Sequence, residues 1–304
     1  MRSLFIRKIA CICFSIHSVA FAIDTRMAFS DLIPDELQEY LYNDAVSLNK
    51  SFNADITNLS IYKSGSLPII EDFSADSLDI CILALPEDRE FPILDDGNIS
   101  MIPFGYISSV VIVNSENPIS EITIDQLATL YGDSTGSSNF LSWRDFNISS
   151  FSNSSIKAYA TKENGEISSD LFAYSVLKEN AFNSSVTFDL TEDIKNMIIQ
   201  DKSAIGIFPN EIESPDLKAI FVARDDESIA YGPSIDNIYY SDYPIRLPFN
   251  IVYNTNNTEK LYPLINILLS DSIADILIEN NFYPIPKVVR EKLIIDLQEY
   301  LKEN

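Results

Sequence analysis

Histidine is nearly missing from this chain. Its 304 residues include one histidine, three cysteines, one tryptophan and eight glycines. Each shortage closes a route. His17, Cys11 and Cys13 all fall in the first 22 residues, so the rest of the chain keeps one thiol, Cys81, and no imidazole. That remainder can form no disulfide, no His/Cys zinc cluster and no Ser-His-Asp or Cys-His pair. Chemistry of those kinds is excluded, and no enzyme activity, cofactor or metal site is expected. Cys81 lies in the apolar run "LDICILAL" and reads as an inert core thiol. Basic residues are also scarce, with 21 Lys+Arg against 45 Asp+Glu. Nucleic acid is not an expected partner, because phosphate contacts need clustered Lys and Arg. Beyond residue 22 every apolar run is broken by charge before it reaches bilayer-spanning length.

The first 22 residues are of a different kind. Arg2, Arg7 and Lys8 precede the short apolar stretch "IACICFSIHSVAF", and Ala20-Phe21-Ala22 fits an A-x-A cleavage site. This is the pattern of a secretory signal peptide, too short to span a bilayer comfortably, with cleavage expected after Ala22. Neither Cys11 nor Cys13 follows a lipobox-like Leu-x-Ala/Gly. A periplasmic or secreted location follows. Arg2, Arg7 and Lys8 are the only charges of that segment, so the mature chain has 18 basic and 45 acidic residues, net −27. Such a balance gives a well-solvated acidic exterior. An exported chain without disulfides depends on a large core, and this length allows one or two domains.

The next stretch alternates strands and helices. "TRMAF" reads as a strand, followed by a helix from "SDLIPDELQEYLYNDAVSL" with Pro34, Asp35 and Glu36 in its first turn. Leu37, Leu41, Ala45 and Leu48 make its apolar stripe. "ADITNLSIY", the turn "KSGS", a short helix "LPIIEDFSA" and the apolar strand "SLDICILALP" complete a βαβαβ unit, hence a parallel sheet. "ISMIPFGYISSVVIVN" is a long extended segment ended by Asn117-Pro118. A capping box, Thr123 with Gln126, starts a helix that Gly132 stops. Further strands are predicted in "SIKAYAT", "SSVTF", "AIGIFP" and "LKAIFVA". A second long extended segment is "SDYPIRLPFNIVYN", and three helical stretches close the chain. The two long segments, near 102–114 and 243–253, bracket about 130 residues. Patterning alone fits two readings: one domain inserted into another through two crossing strands, or one continuous α/β domain. A cleft between inserted domains would be a binding site and a hinge.

Four stretches carry a resemblance. They are "IPFGYISSVVIVNSENPISEITIDQLATLYG" with the later "WRDF", "YPIRLPFNIVYN", "LLSDSIADILIENNFYPIP" and "AIGIF". In this order they resemble the phosphate-type periplasmic substrate-binding proteins of ABC transporters, over most of the mature chain. The second segment departs from the family's Tyr-Pro-x-x-Arg-Pro pattern, since Leu247 separates Arg246 from Pro248.

The resemblance implies two Rossmann-like α/β lobes joined by two crossing strands, the second inserted in the first. Lobe 1 would hold residues 23–104 and 247–304, and lobe 2 residues 105–246. It implies a ligand gripped between the lobes by amides, hydroxyls and an arginine. Carried over position by position, the cleft residues are Ser30, Asp31, Ser64, Gly65, Ser66, Lys162, Asn164 and Gly165. Lys162 stands where the family has its arginine. Asn164-Gly165-Glu166 replaces Ser-Gly-Thr, and apolar Ala84 falls near the family's acidic acceptor. A carboxylate at Glu166 would oppose an anion by roughly 4 kcal/mol at 4 Å and an effective dielectric of 20. The implied function is capture of a small polar ligand, phosphate or another oxyanion among the candidates, by a monomer that delivers it to an ABC-transporter permease. The alternative is a descendant of that fold acting as a sensor or assembly protein. Trp143 reads as packing of the second lobe, Tyr239-Tyr240 as core or rim, and Asp225-Asp226 as solvated surface. Val289, Leu293, Leu297 and Leu301 form a packing stripe on the last helix.

Overall fold

The computed structural model describes residues 24–52, 58–91, 94, 97–133, 142–146, 155–163, 167–178, 180–210 and 212–303. The signal segment 1–22 therefore lies outside the described residues, as do the side chains of Ala45 and Leu48.

Strands β1 (Asp24–Ser30), β2 (Asn58–Ser64) and β3 (Ile80–Ala84) run parallel with β1 in the middle, linked by helices α1 (Asp35–Phe52) and α2 (Ser66–Ser74). This is the predicted βαβαβ unit. All five residues of β3 are buried, as expected of a strand covered on both faces. Leu37 and Leu41 of α1 and Ile69, Ile70 and Phe73 of α2 pack onto the sheet from helical spacings. Open edges of parallel sheets invite pairing. Here the Tyr42 hydroxyl, from α1, accepts the outward N–H of Ile61 on edge strand β2 at 3.0 Å.

The sheet grows antiparallel on its other side. Its order is β13-β4-β12-β3-β1-β2, with β4 (Ile99–Ser108), β12 (Arg246–Asn254) and the two-residue β13 (Tyr283–Pro284). A second sheet has the order β10-β5-β9-β7-β8: β5 (Val110–Asn114), β7 (Lys157–Thr161), β8 (Thr187–Asp189), β9 (Ala204–Phe208) and β10 (Leu217–Ala219). A parallel pair, β6 (Glu121–Thr123) with β11 (Phe221–Ala223), stands beside it. Two predicted strands are therefore split. The segment near 102–114 divides at Ser109, where β4 leaves the first sheet and β5 enters the second. "LKAIFVA" divides after Ile220: its N–H still donates to Val111 C=O along β5, whereas Phe221 N–H donates to Ser120 C=O next to β6.

The chain thus passes from sheet to sheet at Ser108-Ser109 and returns through the residues leading into β12. The two passages are stitched together. Ser109 N–H and the Ser108 hydroxyl both donate to Ile245 C=O, at 3.1 and 2.9 Å, and the Tyr243 hydroxyl donates to Ser109 C=O at 2.8 Å. Ser108, Ser109, Tyr243 and Ile245 are all fully buried. Their polar groups need these partners, since a buried orphan costs about 1–3 kcal/mol.

Helices complete the layers: α3 (Ile124–Tyr131), α4 (Ser168–Phe172), α5 (Thr191–Gln200), α6 (Ile235–Tyr239), α7 (Thr258–Leu268), α8 (Asp271–Glu279) and α9 (Lys287–Glu303). The α3 capping box is present in both directions, Gln126 N–H to Thr123 Oγ1 at 3.2 Å and Thr123 N–H to Gln126 Oε1 at 2.9 Å. Gly132 ends α3, as the sequence indicates, and does so in extended backbone. It is needed there for space, because a Cβ would lie 2.7 Å from Ala128 O. Trp143 is fully buried and donates to Ser203 C=O. Val289, Leu293 and Leu297 of α9 lie against the main core, which runs continuously from the first sheet to the second.

Candidate functional site

In open α/β sheets, ligands collect beyond the carboxyl ends of parallel strands. Here β1, β2, β7 and β9 end near one another, and a cavity of about 570 Å³ lies among their loops. Residues 31–36 and Lys63 line it from the first sheet, Glu163, Ile167 and Pro209 from the second, and residues 279–282 from the end of α8. Ile107, near the crossing, forms part of its wall.

The lining is acidic. Asp31, Asp35, Glu36, Glu163 and Glu279 face one ammonium, Lys63, for a formal charge of −4. Lys63 Nζ is already spent on Asp35, 2.5 Å away. The Glu163 carboxylate accepts the backbone N–H of Thr191 at 2.6 Å, at the start of α5. The hydroxyl and amide of Thr191 hold Glu163 below the usual carboxylate range. Asp31, Glu36 and Glu279 make no ion pair among the described residues.

The sequence-predicted residues divide. Asp31 lines the cavity, and its backbone N–H bonds Ser64 C=O, tying the ends of β1 and β2 together. Ser30 is buried, and its hydroxyl accepts the N–H of Leu32 within the turn. Ser64, Gly65 and Ser66 follow Lys63 but are outside the lining. Gly65 is the N-cap of α2 with φ −60°, and an added Cβ would meet only Pro68 Cδ at 3.8 Å, so nothing there requires glycine. Pro68 withdraws one of the leading N–H groups that a helix start offers to an anion. Lys162 is exposed and outside the lining, with its backbone N–H on Asp189 C=O. Asn164, Gly165 and Glu166 lie outside the described residues.

The hydroxyls at the start of α4 are engaged internally. Thr161 Oγ1 and Ser168 Oγ are 3.0 Å apart, Ser109 Oγ donates to Ser168 C=O, and Ser169 Oγ donates to Thr161 C=O. Sequence reasoning missed Lys63, Glu163 and Glu279 as lining residues, and took Asp35 and Glu36 only as first-turn acids of α1. For Glu163, its place just after an all-buried strand end was the available signal.

A second polar constellation lies on the other side of the crossing. The side chain of Arg246, the first residue of β12, is almost fully buried. Its guanidinium donates to the carbonyls of Ile238 and Tyr239 at the end of α6, pairs with Glu87 and lies 4.8 Å from the Tyr106 ring centre. Burial raises the Tyr106 hydroxyl above its ordinary range. The acids after β3 therefore do not stand at Ala84. Glu87 serves Arg246 and the Ser241 hydroxyl, and Asp88 accepts the Tyr174 hydroxyl at 2.6 Å. Asp225 is exposed and holds a local turn through Glu227 N–H and Ser228 Oγ. Cys81 is buried, and burial pushes its thiol far up, as an inert thiol requires.

Most of the chain superposes on solved proteins described as phosphate-binding. A protein from Planctomyces limnophilus described as a possible phosphate-binding protein matches with a TM-score of 0.63 at 17% identity, over 91% of this chain and 98% of that one. PstS from Borrelia burgdorferi matches with a TM-score of 0.64 at 17% identity, over 86% and 100%. An ABC-type phosphate transport receptor from Vibrio cholerae gives 0.57 at 16%, over 86% and 100%. These likenesses establish a periplasmic-binding-protein-like α/β fold and agree with the resemblance read from the four stretches. No family model matches the chain. No curated protein matches it in sequence.

Proposed function

We propose that this chain is an extracytoplasmic solute-binding protein that holds a small polar ligand between two lobes. The lobes are residues 23–104 with 247–304, and 105–246, and residues 1–22 serve as a cleaved signal. The carrying observation is the 570 Å³ cavity bounded by loops of both sheets at the carboxyl ends of their strands. The fold, shared with phosphate-binding receptors, supports delivery to an ABC-transporter permease.

The ligand we assign is neutral or cationic, not phosphate. Five carboxylates against one engaged lysine repel an anion. The hydroxyls near α4 are bonded to the protein's own backbone. That engagement also favours a second reading, a binding-fold descendant that serves as a sensor or assembly component without a transported ligand.

A thermal-shift screen of the secreted protein separates these readings. Putrescine, lysine, glucose and inorganic phosphate are the probes. A ligand specific to the folded state stabilises it by RT ln(1 + [L]/Kd). Stabilisation by an amine or a neutral solute is expected. A phosphate shift would overturn the charge argument, and no shift with any probe would favour the second reading. N-terminal sequencing of the same secreted protein should begin at Ile23.

A further inference from the structure

The 570 Å³ cavity has a one-sided hydrogen-bonding character. Asp31, Asp35, Glu36, Glu163 and Glu279 are acceptors only, and no Ser, Thr, Tyr or Trp stands among the described lining residues. The one cation there, Lys63, is bonded to Asp35, and the Asn280 amide donates to Ile276 C=O. The backbone N–H groups of Asp31, Leu32 and Ile33 are bonded to Ser64 and Ser30, while Pro34 and Pro209 have none. Such a wall suits a ligand that only donates. A sugar brings acceptors along with its donors and would leave those acceptors unmet. A free amino acid would bring a carboxylate with no unspent cation to meet it. An ammonium has three donors and no acceptor.

The acids come from both sides. Asp31 follows β1, Glu36 lies in the first turn of α1 and Glu279 ends α8, all on the side of the first sheet, whereas Glu163 follows β7 of the second. Thr191 orients Glu163, and its amide and hydroxyl keep the carboxyl ionised. A carboxylate has about four acceptor sites, so these bonds leave Glu163 room for an ammonium. Much of the remaining wall is apolar, with Leu32, Ile33, Ile107, Ile167, Pro209 and Phe282. Phe282 is the one aromatic side chain among the described lining residues. It cannot by itself form the aromatic cage that holds a quaternary ammonium, so the cation is one with N–H groups.

We infer that the cavity takes an aliphatic diamine as its dication, with one ammonium among Asp31, Glu36 and Glu279 and the other on Glu163. The methylenes between them lie against the apolar wall. The inference rests on the solute-binding reading above and narrows its ligand class. An extended four-carbon diamine spans about 6 Å between nitrogens, a zigzag of five bonds of about 1.5 Å, and a cavity of 570 Å³ admits it. Glu163 is then the residue that distinguishes two charges from one, since a monoamine is held by the other three acids without it.

Calorimetric titration of the full mature chain with putrescine and with butylamine tests it, because the two share a carbon chain and differ by one ammonium. At 0.15 M salt putrescine should bind about ten-fold tighter, from the screened attraction of the lining for a second unit charge. Glu163→Gln keeps an acceptor for Thr191 N–H. It should weaken putrescine about five-fold, the factor for one unit pair about 4 Å apart in water. Butylamine should change by less than about two-fold, since its single charge sits about a Debye length from Glu163. Should Glu163→Gln fail to fold, as near-UV circular dichroism shows, the comparison of the two amines on the unsubstituted chain decides. Equal affinities for the two amines would overturn the dication assignment and leave a cleft for cations. So would a Glu163→Gln variant that binds putrescine undiminished, or one that loses both amines alike. Binding of glucose or inorganic phosphate but of neither amine would overturn it and leave a cleft for another solute. No heat with any of the four would overturn the solute-binding reading as well.

Discussion

Neutralising Asp31, Glu36 and Glu279 together, as Asn and Gln variants, should change the cavity's preference for ligand charge. These three carboxylates line the cavity without an ion pair among the described residues, whereas Asp35 and Glu163 already have partners. The unsubstituted lining carries −4 and the triple variant −1. A sphere of 570 Å³ has a radius of about 5 Å, so lining charges sit roughly 6 Å from a centred ligand, and each unit pair contributes about 0.7 kcal/mol at a water-like dielectric. The native cavity then disfavours a monoanion, and favours a monocation, by about 3 kcal/mol. The triple variant should lose about 2 kcal/mol of that term, roughly thirty-fold in affinity for each unit of ligand charge. At 0.15 M salt, screening over a Debye length of about 8 Å halves the energy and leaves about five-fold. Calorimetric titration with putrescine and with inorganic phosphate, at low salt and at 0.15 M, reads both numbers. The expected result is weaker amine binding, stronger phosphate binding, and both changes shrinking with salt. Tight phosphate binding by the unsubstituted chain would refute the reasoning, as would changes in the triple variant of the same sign for both probes.

Four further substitutions test the scaffold. Asp79 accepts the backbone N–H and the Nε of Arg26, at 2.8 and 3.2 Å, and Lys260 Nζ at 3.0 Å. Burial raises its pKa, but these bonds outweigh it and hold the carboxyl below its ordinary value. A depressed folded pKa stabilises above the unfolded value near 3.9 and is lost as pH falls through the folded one. Asp79→Asn should therefore cost about 1–3 kcal/mol near neutrality and flatten the acid limb below about pH 4, as read by urea unfolding across pH. Tyr243→Phe removes the hydroxyl that satisfies Ser109 C=O at the buried crossing, and should cost about 1–3 kcal/mol in the same assay. Gly206→Ala would place a Cβ 2.6 Å from Ile198 Cδ1 and 2.7 Å from Phe208 Cε2. Overpacking of that kind should lower stability by about 1–3 kcal/mol, while Gly65→Ala, in open space, should leave it nearly unchanged.

The helix starts and buried strands were legible because their causes are local. Thr123 and Gln126 cap α3 from three residues apart, and "LDICILAL" is apolar throughout because β3 is covered on both faces. The change of sheets at Ser109 was not legible. Nothing in "GYISSVVIVN" distinguishes one long strand from two, and the break depends on Ile245 and Tyr243, more than 130 residues away. The acids around the cleft were hidden for a similar reason. Asp35 and Glu36 do lie in the first turn of α1, as the sequence indicates, and that local role masked their position against Glu163 and Glu279. The resemblance led to the acceptor position at Ala84, while the carboxylates that act nearby stand three and four residues later and turn toward Arg246 and Tyr174.

The same distinction bears on why one fold can exchange ligand charge. Parallel strands followed by helices bring unpaired N–H groups and positive dipole ends to the mouth of the cleft, whatever the side chains. An anion ligand uses those donors only if the protein leaves them vacant. Here the start of α5 is filled by the chain's own carboxylate, Glu163, bonded to Thr191 N–H. At α2, Pro68 removes a donor outright, and at α4 the Ser168 and Ser169 hydroxyls turn back onto Thr161 of β7. Among the described residues, these donors are engaged or missing, and Asp31, Asp35, Glu36, Glu163 and Glu279 line the nearby cavity. On the reading proposed above, the backbone architecture is retained while anion donors are internalised, and the site turns toward neutral or positively charged solutes without any change in topology.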